Sequence, residues 1–166
     1  MIGPTADLVR FLVQAPPGDA WVDVLEMAHA AWPQPYVLIA YNYGQRVRFE
    51  DGRVYDAMPL AFRVDLPDAG TQGRQDMSIT LDNVGAEIWN ALELAQAKPQ
   101  FPITVTWRVF LKSNFNAPAA QPFKLSVVNV TAAEAAVQMT AQRSDIINRR
   151  WPRVVYKPER WPGLVR

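Results

Sequence analysis

The chain is 166 residues long, with 49% hydrophobic and 20% charged residues. These values are typical of one globular domain and exclude disorder throughout the chain. Cysteine is absent, which excludes disulfides, thiolate metal sites and thiol catalysis and favours a cytoplasmic origin. The first apolar stretch, residues 8–13, is interrupted by Arg10 and is too short to span a bilayer, so we expect neither a signal peptide nor a membrane anchor.

Charge is distributed unevenly along the chain, although the net charge of the whole is only +1. Residues 143–166 contain seven basic and two acidic residues, a net +5, which leaves −4 for the rest. A basic tail on a mildly acidic body predicts contact with an acidic surface, on a neighbouring protein or on nucleic acid. A solvated C-terminal extension is the alternative.

The N-terminal half is dominated by strand patterns after one ambiguous segment. Residues 5–14 fit either a short helix or the start of a strand, and Pro16-Pro17-Gly18 ends the segment in both cases. Asp51-Gly52, between two short strand-like segments, predicts a β-hairpin with a type I′ turn. β-branched and aromatic residues predict further strands at residues 20–28, 36–41 and 60–65.

The C-terminal half contains a long loop, one helix and four strand patterns. The polar, glycine-containing loop 67–75 is longer than most connections and is a candidate contact element. Apolar residues at helical spacing predict a helix near 84–97, with Asp82 or Asn83 placed to cap its start. Strands are predicted at 76–82, 101–112, 124–130 and 135–142, and we expect the last two to pair.

These elements predict a mainly β fold of about eight mostly antiparallel strands with one flanking α-helix, built as a β-sandwich or barrel. Strands and a single late helix do not alternate, which argues against a parallel βαβ architecture. The chain divides into a β domain at residues 1–142 and a basic tail at residues 143–166 that contains proline and tryptophan.

No pattern for an active site or cofactor site emerges from the sequence. His29 is the only histidine, so it cannot build a two-histidine metal site, and no motif supplies the nucleophile that it would need as a general base. Glycine-rich phosphate loops and nucleophile elbows are absent. A hydrolase with paired carboxylates remains as an alternative, drawn from Asp65, Asp68, Asp76 and Asp82. We therefore expect no enzyme, no metal and no cofactor.

The basic tail instead contains residue types that are common in protein interfaces. Arg150-Trp151-Pro152 returns as Arg160-Trp161-Pro162, and each proline favours extended backbone before it. Trp and Arg are enriched in buried protein interfaces, and the same residues could stack on the bases of single-stranded nucleic acid, which is the alternative. Trp21 and Trp107, by contrast, fall on positions predicted to face the core. The predicted interface residues are Asp68, Gly70, Gly73 and Arg74 in the loop and Arg149, Arg150, Trp151, Arg153, Tyr156, Arg160 and Trp161 in the tail.

Two segments carry a resemblance to a known group of proteins. Residues 77–84, Met-Ser-Ile-Thr-Leu-Asp-Asn-Val, and residues 102–110, Pro-Ile-Thr-Val-Thr-Trp-Arg-Val-Phe, resemble a family of tail proteins from long-tailed bacteriophages. Residues 21–29 and the terminal residues 156–164 are similar to the same family, so the likeness spans nearly the whole chain. The motifs are structural and mark no catalytic residue.

This resemblance implies a structural virion protein of the tail tip or baseplate, similar to distal tail proteins. Such a protein has a tail-tube-like sandwich and forms a ring between tail tube and hub proteins, and DNA passes through its lumen without specific binding. A hexameric ring is implied, with a trimeric upper hub protein of the same tail tip as the alternative. The implied location is the virion tail, after assembly in the cytoplasm of the host bacterium, with no membrane partner.

Overall fold

Nine strands and two helices form the described part of the computed structural model, which covers residues 6–14, 16–65, 76–82, 84–133 and 136–143. The predicted mainly β fold is confirmed, with one strand and one helix more than expected. The predicted pairing of the last two strands is also confirmed. The elements are α1 (Ala6–Gln14), β1 (Trp21–Ala28), β2 (Tyr36–Ile39), β3 (Gln45–Arg48), β4 (Val54–Pro59), β5 (Phe62–Asp65), β6 (Asp76–Asp82), α2 (Ala86–Gln96), β7 (Thr104–Leu111), β8 (Phe123–Ala132) and β9 (Ala136–Gln142).

All nine strands belong to one sheet, in the order β3-β4-β2-β1-β7-β8-β9-β6-β5. Its pairs are antiparallel except β2 with β4, which is parallel. β4 and β5 stand seven positions apart, about 34 Å in a flat sheet. The chain from Pro59 to Phe62 spans at most about 11 Å, so the sheet has to curl until its margins approach each other.

The linker between β4 and β5 bridges these margins without closing the ladder of strands. The Leu60 amide donates to the Ile39 carbonyl of β2 at 3.1 Å, and the Ala61 carbonyl accepts from the Asp82 amide of β6 at 2.9 Å. Residues 60 and 61 therefore contact both halves of the curled sheet. The strand predicted at residues 60–65 is in fact this linker followed by β5.

The principal core fills the inside of the curled sheet. α2 packs Ile88, Ala91, Leu92 and Ala95 against the inner face. The Trp32 indole donates to the Ala91 carbonyl at 2.7 Å and so joins the β1–β2 connection to this helix. The inner-face side chains from the strands are Leu25, Met27, Leu38, Met77, Ile79, Leu81, Val105, Leu125, Val137, Met139 and Ala141.

A second core lies on the opposite face of β1, β2 and β7, where the β3–β4 hairpin covers the sheet. Its buried residues are Val22, Val24, Val37, Ile39, Val47, Phe49, Ala57 and Phe110. Because β1 and β7 are covered on both faces, most of their residues are buried whichever way they point.

The hairpin at Asp51-Gly52 forms where the sequence predicts it, but its turn differs from the predicted type I′. The Phe49 amide donates to the Arg53 carbonyl at 2.9 Å, and the Gly52 amide donates to the Phe49 carbonyl at 3.0 Å. This pattern encloses three loop residues instead of two, with Gly52 left-handed at φ +83°. The extra residue, Glu50, is thereby free to turn its carboxylate toward the sheet.

The two helices differ in detail from the sequence predictions. Residues 6–14 form a helix, not a strand, and Leu8 packs with Leu111 and Ala119 in a small third core. α2 begins two residues later than expected because Gly85, with extended backbone, is its N-cap. Asp82, the last residue of β6, therefore does not cap the helix, and Asn83 lies outside the described residues.

Candidate interface surfaces

An ionic cluster lies under the tip of the β3–β4 hairpin and consists of the buried Glu26 and Arg108 and the exposed Glu50 and Arg53. Arg108 is only 2% exposed. Its Nε and Nη2 each donate to one carboxylate oxygen of Glu50, both at 2.8 Å, and its Nη1 donates to Glu26 Oε2 at 2.7 Å. Arg53 Nη2 lies 3.7 Å from Glu26 Oε1. The Phe49 ring covers the guanidinium of Arg108 at 3.8 Å.

Strand register explains why these charges meet. On the antiparallel β1–β7 pair, Val24 lies opposite Arg108 and Glu26 lies opposite Thr106, so Glu26 and Arg108 are diagonal neighbours on one face. Burial alone would lower the pKa of Arg108, but the hydrogen bonds to Glu50 and Glu26 outweigh it and hold that pKa above its ordinary value. The hydrogen bond from Arg108 likewise holds the pKa of Glu50 below its ordinary value.

Within the ionic cluster two carboxylates face two guanidinium groups, and Arg53 is also paired with Asp51 in the hairpin turn. Among the described residues, every buried side-chain nitrogen or oxygen has a hydrogen-bond partner. The cluster therefore ties the hairpin to the sheet and presents no unpaired acid or base. Sequence reasoning did not single it out, although Glu26 and Arg108, each directly between two apolar residues of a strand, were the available signal.

His29 is bonded to backbone through both of its ring nitrogens. Nδ1 accepts from the Ala31 amide at 3.1 Å, and Nε2 lies 2.9 Å from the Phe101 carbonyl, so the proton belongs on Nε2. The ring is 8% exposed. His29 thus holds the segment before β7 against the end of β1.

The carboxylates considered for a hydrolase do not converge on a cavity. Asp65 is paired with Arg63 at 2.8 Å and is exposed. Asp76 and Asp82 lie at opposite ends of β6, about 20 Å apart along the strand. Asp76 is near Asp65 in register, but both side chains are on the exposed surface. Asp68 lies outside the described residues.

The two tryptophans predicted to face the core behave differently. Trp107 is half-buried against the principal core, and its indole donates to Asp23 Oδ1 at 3.0 Å. Trp21 is 48% exposed, so the prediction for it is wrong. Trp21 is the first residue of β1, opposite Leu111, and the principal core begins only at Leu25. Burial raises the pKa of Asp23, which lies between the two tryptophans, and their indole hydrogen bonds partly offset the effect.

The structure does not bear on the residues that the sequence nominates for interfaces. All eleven lie in the two undescribed segments 66–75 and 144–166. They are Asp68, Gly70, Gly73, Arg74, Arg149, Arg150, Trp151, Arg153, Tyr156, Arg160 and Trp161.

An apolar groove runs between α2 and β8 and has a volume of about 410 Å³. We name it the α2–β8 groove. Its rim exposes large apolar side chains that include Phe101 at 48%, Val128 at 63% and Val130 at 38%. The full lining is Trp89, Leu92, Glu93, Ala95, Gln96, Pro99, Phe101, Pro102, Ile103, Val127, Val128, Asn129, Val130 and Ala132.

A second exposed apolar surface is the outer stripe of α1. Val9, Leu12 and Val13 are 45%, 61% and 79% exposed, while Leu8 is buried on the inner side of the helix. Residues 9, 12 and 13 share one helix face by their i, i+3, i+4 spacing. The two apolar surfaces lie toward opposite ends of β7, since α1 packs on Leu111 and the groove is lined by Ile103, just before the strand.

No group of three or more His, Asp or Glu side chains among the described residues is placed to hold a metal ion. No described helix is both long enough and apolar enough to cross a membrane.

Comparison with known families gives a match that extends from α1 through every described strand of the sheet. The family described as a domain of unknown function, DUF1833, matches residues 8–156. The chain belongs to this family. The match covers all nine strands, both exposed apolar surfaces and the first part of the basic tail. No curated protein matches the chain.

Proposed function

We propose that the protein is a structural subunit of a bacteriophage tail tip, similar to distal tail proteins, that assembles with identical copies into a ring between tail tube and hub. The α2–β8 groove carries this proposal. It is a contiguous apolar surface on a fold whose two main cores are otherwise covered, and large exposed apolar patches mark interaction sites. Glu26 and Arg108, the buried charged residues of the ionic cluster, are by contrast paired with each other.

The resemblance to tail proteins supports the same function. The residues that carry it form β6 with the approach to α2 and most of β7, which together supply much of the principal core. A family likeness in these positions is a likeness of fold. The resemblance implies a β-sandwich with one flanking helix, and the structure combines the curled sheet with two described helices, α1 and α2.

The distribution of charge fits a ring around DNA. Outside residues 143–166 the chain carries a net −4. A wall of like charge does not retain DNA, so the duplex would pass without specific binding. A hexamer is the proposed ring, and a trimer would instead indicate the upper hub position.

The experiment has two parts, on purified virions and on the purified protein. Mass spectrometry of phage particles that encode this chain should detect it in stoichiometric amounts, and mass photometry of the full-length protein should show a discrete oligomer. Absence from particles together with a strictly monomeric protein would refute the proposal.

A matched pair of variants locates the contact. Val130→Glu places a charge on the rim of the α2–β8 groove and should shift the oligomer toward monomer at least tenfold. Val54→Glu places the same charge on β4, where the side chain is 51% exposed and remote from the groove, and should leave assembly unchanged. Equal effects of the two variants would show that the groove is not a contact.

A further inference from the structure

The strand wall of the α2–β8 groove has an open edge. β8 pairs with β7 only as far as Ser126, opposite Thr104, after which the Val127 amide donates to the Ile103 carbonyl at 2.8 Å. Beyond this point β8 continues to Ala132 and is paired with β9 on its other side. Among the described residues, no strand borders residues 128–132 on the groove side, an edge about 16 Å long that begins with a shift of register at Val128.

This edge stands beside an apolar floor. Leu92 and Ala95 of α2 and Ile103 line the groove together with the apolar side chains of β8. An unpaired strand edge next to apolar pockets is the arrangement that binds an extended segment by adding a strand, since the backbone supplies hydrogen bonds and the pockets take alternate side chains. The shape of the groove therefore favours an extended occupant.

The tail of the chain has the chemistry to fill it. Residues 144–166 lie outside the described residues and contain six basic and two acidic residues, whereas Glu93 is the one charged residue among those that line the groove. Within this tail, residues 153–157 read Arg-Val-Val-Tyr-Lys, a β-branched and aromatic run flanked by cations. Pro152 and Pro158, which lack an amide hydrogen, limit an added strand to the five residues between them, the same number as in the open edge 128–132.

The direction in which the chain leaves the sheet points to a second copy as the donor. β9 ends at Gln142, between Ser126 of β8 and Asp76 of β6. The next residue, Arg143, lies over the ring of Phe123, 5.8 Å from its centroid. Since β9 is antiparallel to β8, the chain departs toward Phe123 and away from residues 128–132.

We propose that the α2–β8 groove of one copy receives residues 153–157 of a second copy as an added strand along residues 128–132 of β8. The inference rests on the proposed ring and specifies its contact. Each copy gives its tail to one neighbour and receives a tail from another, a head-to-tail contact that closes into a ring when its rotation permits.

The natural absence of cysteine allows a direct test in the full-length protein. Val130→Cys with Val155→Cys, under mild oxidation, should give a ladder of disulfide-linked multimers on a non-reducing gel. The matched control, Val54→Cys with Val155→Cys, should stay mostly monomeric, and each single variant reports links between like positions. Circular dichroism melting of each variant checks that it folds.

Three outcomes decide the matter. A cross-linked monomer would show that each groove takes its own tail and would overturn the inference, as would an oligomer in which the cysteine pair never links. A protein that is monomeric before any cysteine is introduced would instead count against the proposed function itself. As an independent readout, Val155→Pro removes an amide donor from the added strand and should weaken assembly at least tenfold, whereas Leu164→Pro, outside the segment, should not.

Discussion

Replacing Arg108 with methionine removes the buried centre of the ionic cluster while keeping most of the side-chain volume. Glu26, whose side chain is 9% exposed, then keeps only the weaker contact with Arg53 at 3.7 Å. Breaking a buried pair by removing one partner costs about 3–5 kcal/mol of unfolding free energy. Because the Glu50 side chain is 43% exposed and can regain water, we take the lower end, about 3 kcal/mol.

This loss is large enough to measure by thermal denaturation. For a chain of this length, about 3 kcal/mol corresponds to a melting temperature lower by roughly 6–12 °C. The control is Arg46→Met, which breaks an ion pair with Asp56 whose side chains are 75% and 80% exposed, and it should leave the melting temperature within error. If Arg108→Met melts as Arg46→Met does, the ionic cluster does not stabilise the fold in the way described.

The deficit of Arg108→Met should also depend on pH. In the native protein the folded pKa of Glu50 is lowered, so its stabilising contribution is present above the unfolded value of 4.5 and is lost as pH falls through the folded pKa. In the variant this contribution of the Glu50–Arg108 pair is absent at every pH. The stability gap between the two proteins should therefore narrow as pH falls below 4.5. Glu26→Gln added to Arg108→Met should recover part of the stability at pH 7, because the buried carboxylate has lost its closest cation. A gap that widens as pH falls below 4.5 would contradict this account.

Three further predictions concern single positions. Gly52→Ala should lower the unfolding free energy by about 1 kcal/mol in urea denaturation, because φ is +83° there and an added Cβ meets nothing within 4 Å, so the effect is purely conformational; no change would argue against the left-handed turn. Gly85→Ser should raise stability by about 0.3 kcal/mol, since the N-cap of α2 has no side-chain hydrogen bond, and a decrease would contradict the assigned cap. The folded pKa of Asp23 is raised, so its ionisation opposes folding above that pKa and the effect fades as pH falls. Asp23→Asn should therefore be at least as stable as the native protein at pH 7 and should lose this advantage near pH 4, which melting curves at the two pH values measure. If the stability of the variant relative to the native protein is lower at pH 7 than at pH 4, the sign of this prediction is wrong.

The sequence predicts strands well where one face meets the core and the other meets solvent. β6 is the best example, since Met77, Ile79 and Leu81 alternate with exposed or half-buried polar residues along the whole strand. The buried positions of α2 were also predictable, because helical spacing directly reports which side packs against the sheet.

Predictions fail where a local pattern has more than one structural solution. Asp51-Gly52 is compatible with loops of two and of three residues, and the choice depends on how Glu50 meets Arg108 from a distant strand. Residues 6–14 form a helix that packs Leu8 against Leu111, a contact between positions about a hundred residues apart. No single segment of the sequence predicts the α2–β8 groove, because the groove forms where β8 extends beyond its pairing with β7.

The position of residues 60 and 61 has a consequence for cooperativity. Sheets usually lose structure first at their margins, where a single strand can detach without disturbing the rest. Here the strand beside one margin and the strand forming the other are consecutive in the chain, and the two residues between them bond to both β2 and β6. Detachment of β5 therefore strains β4 and the hairpin above Arg108. We expect the two margins of the sheet to unfold together.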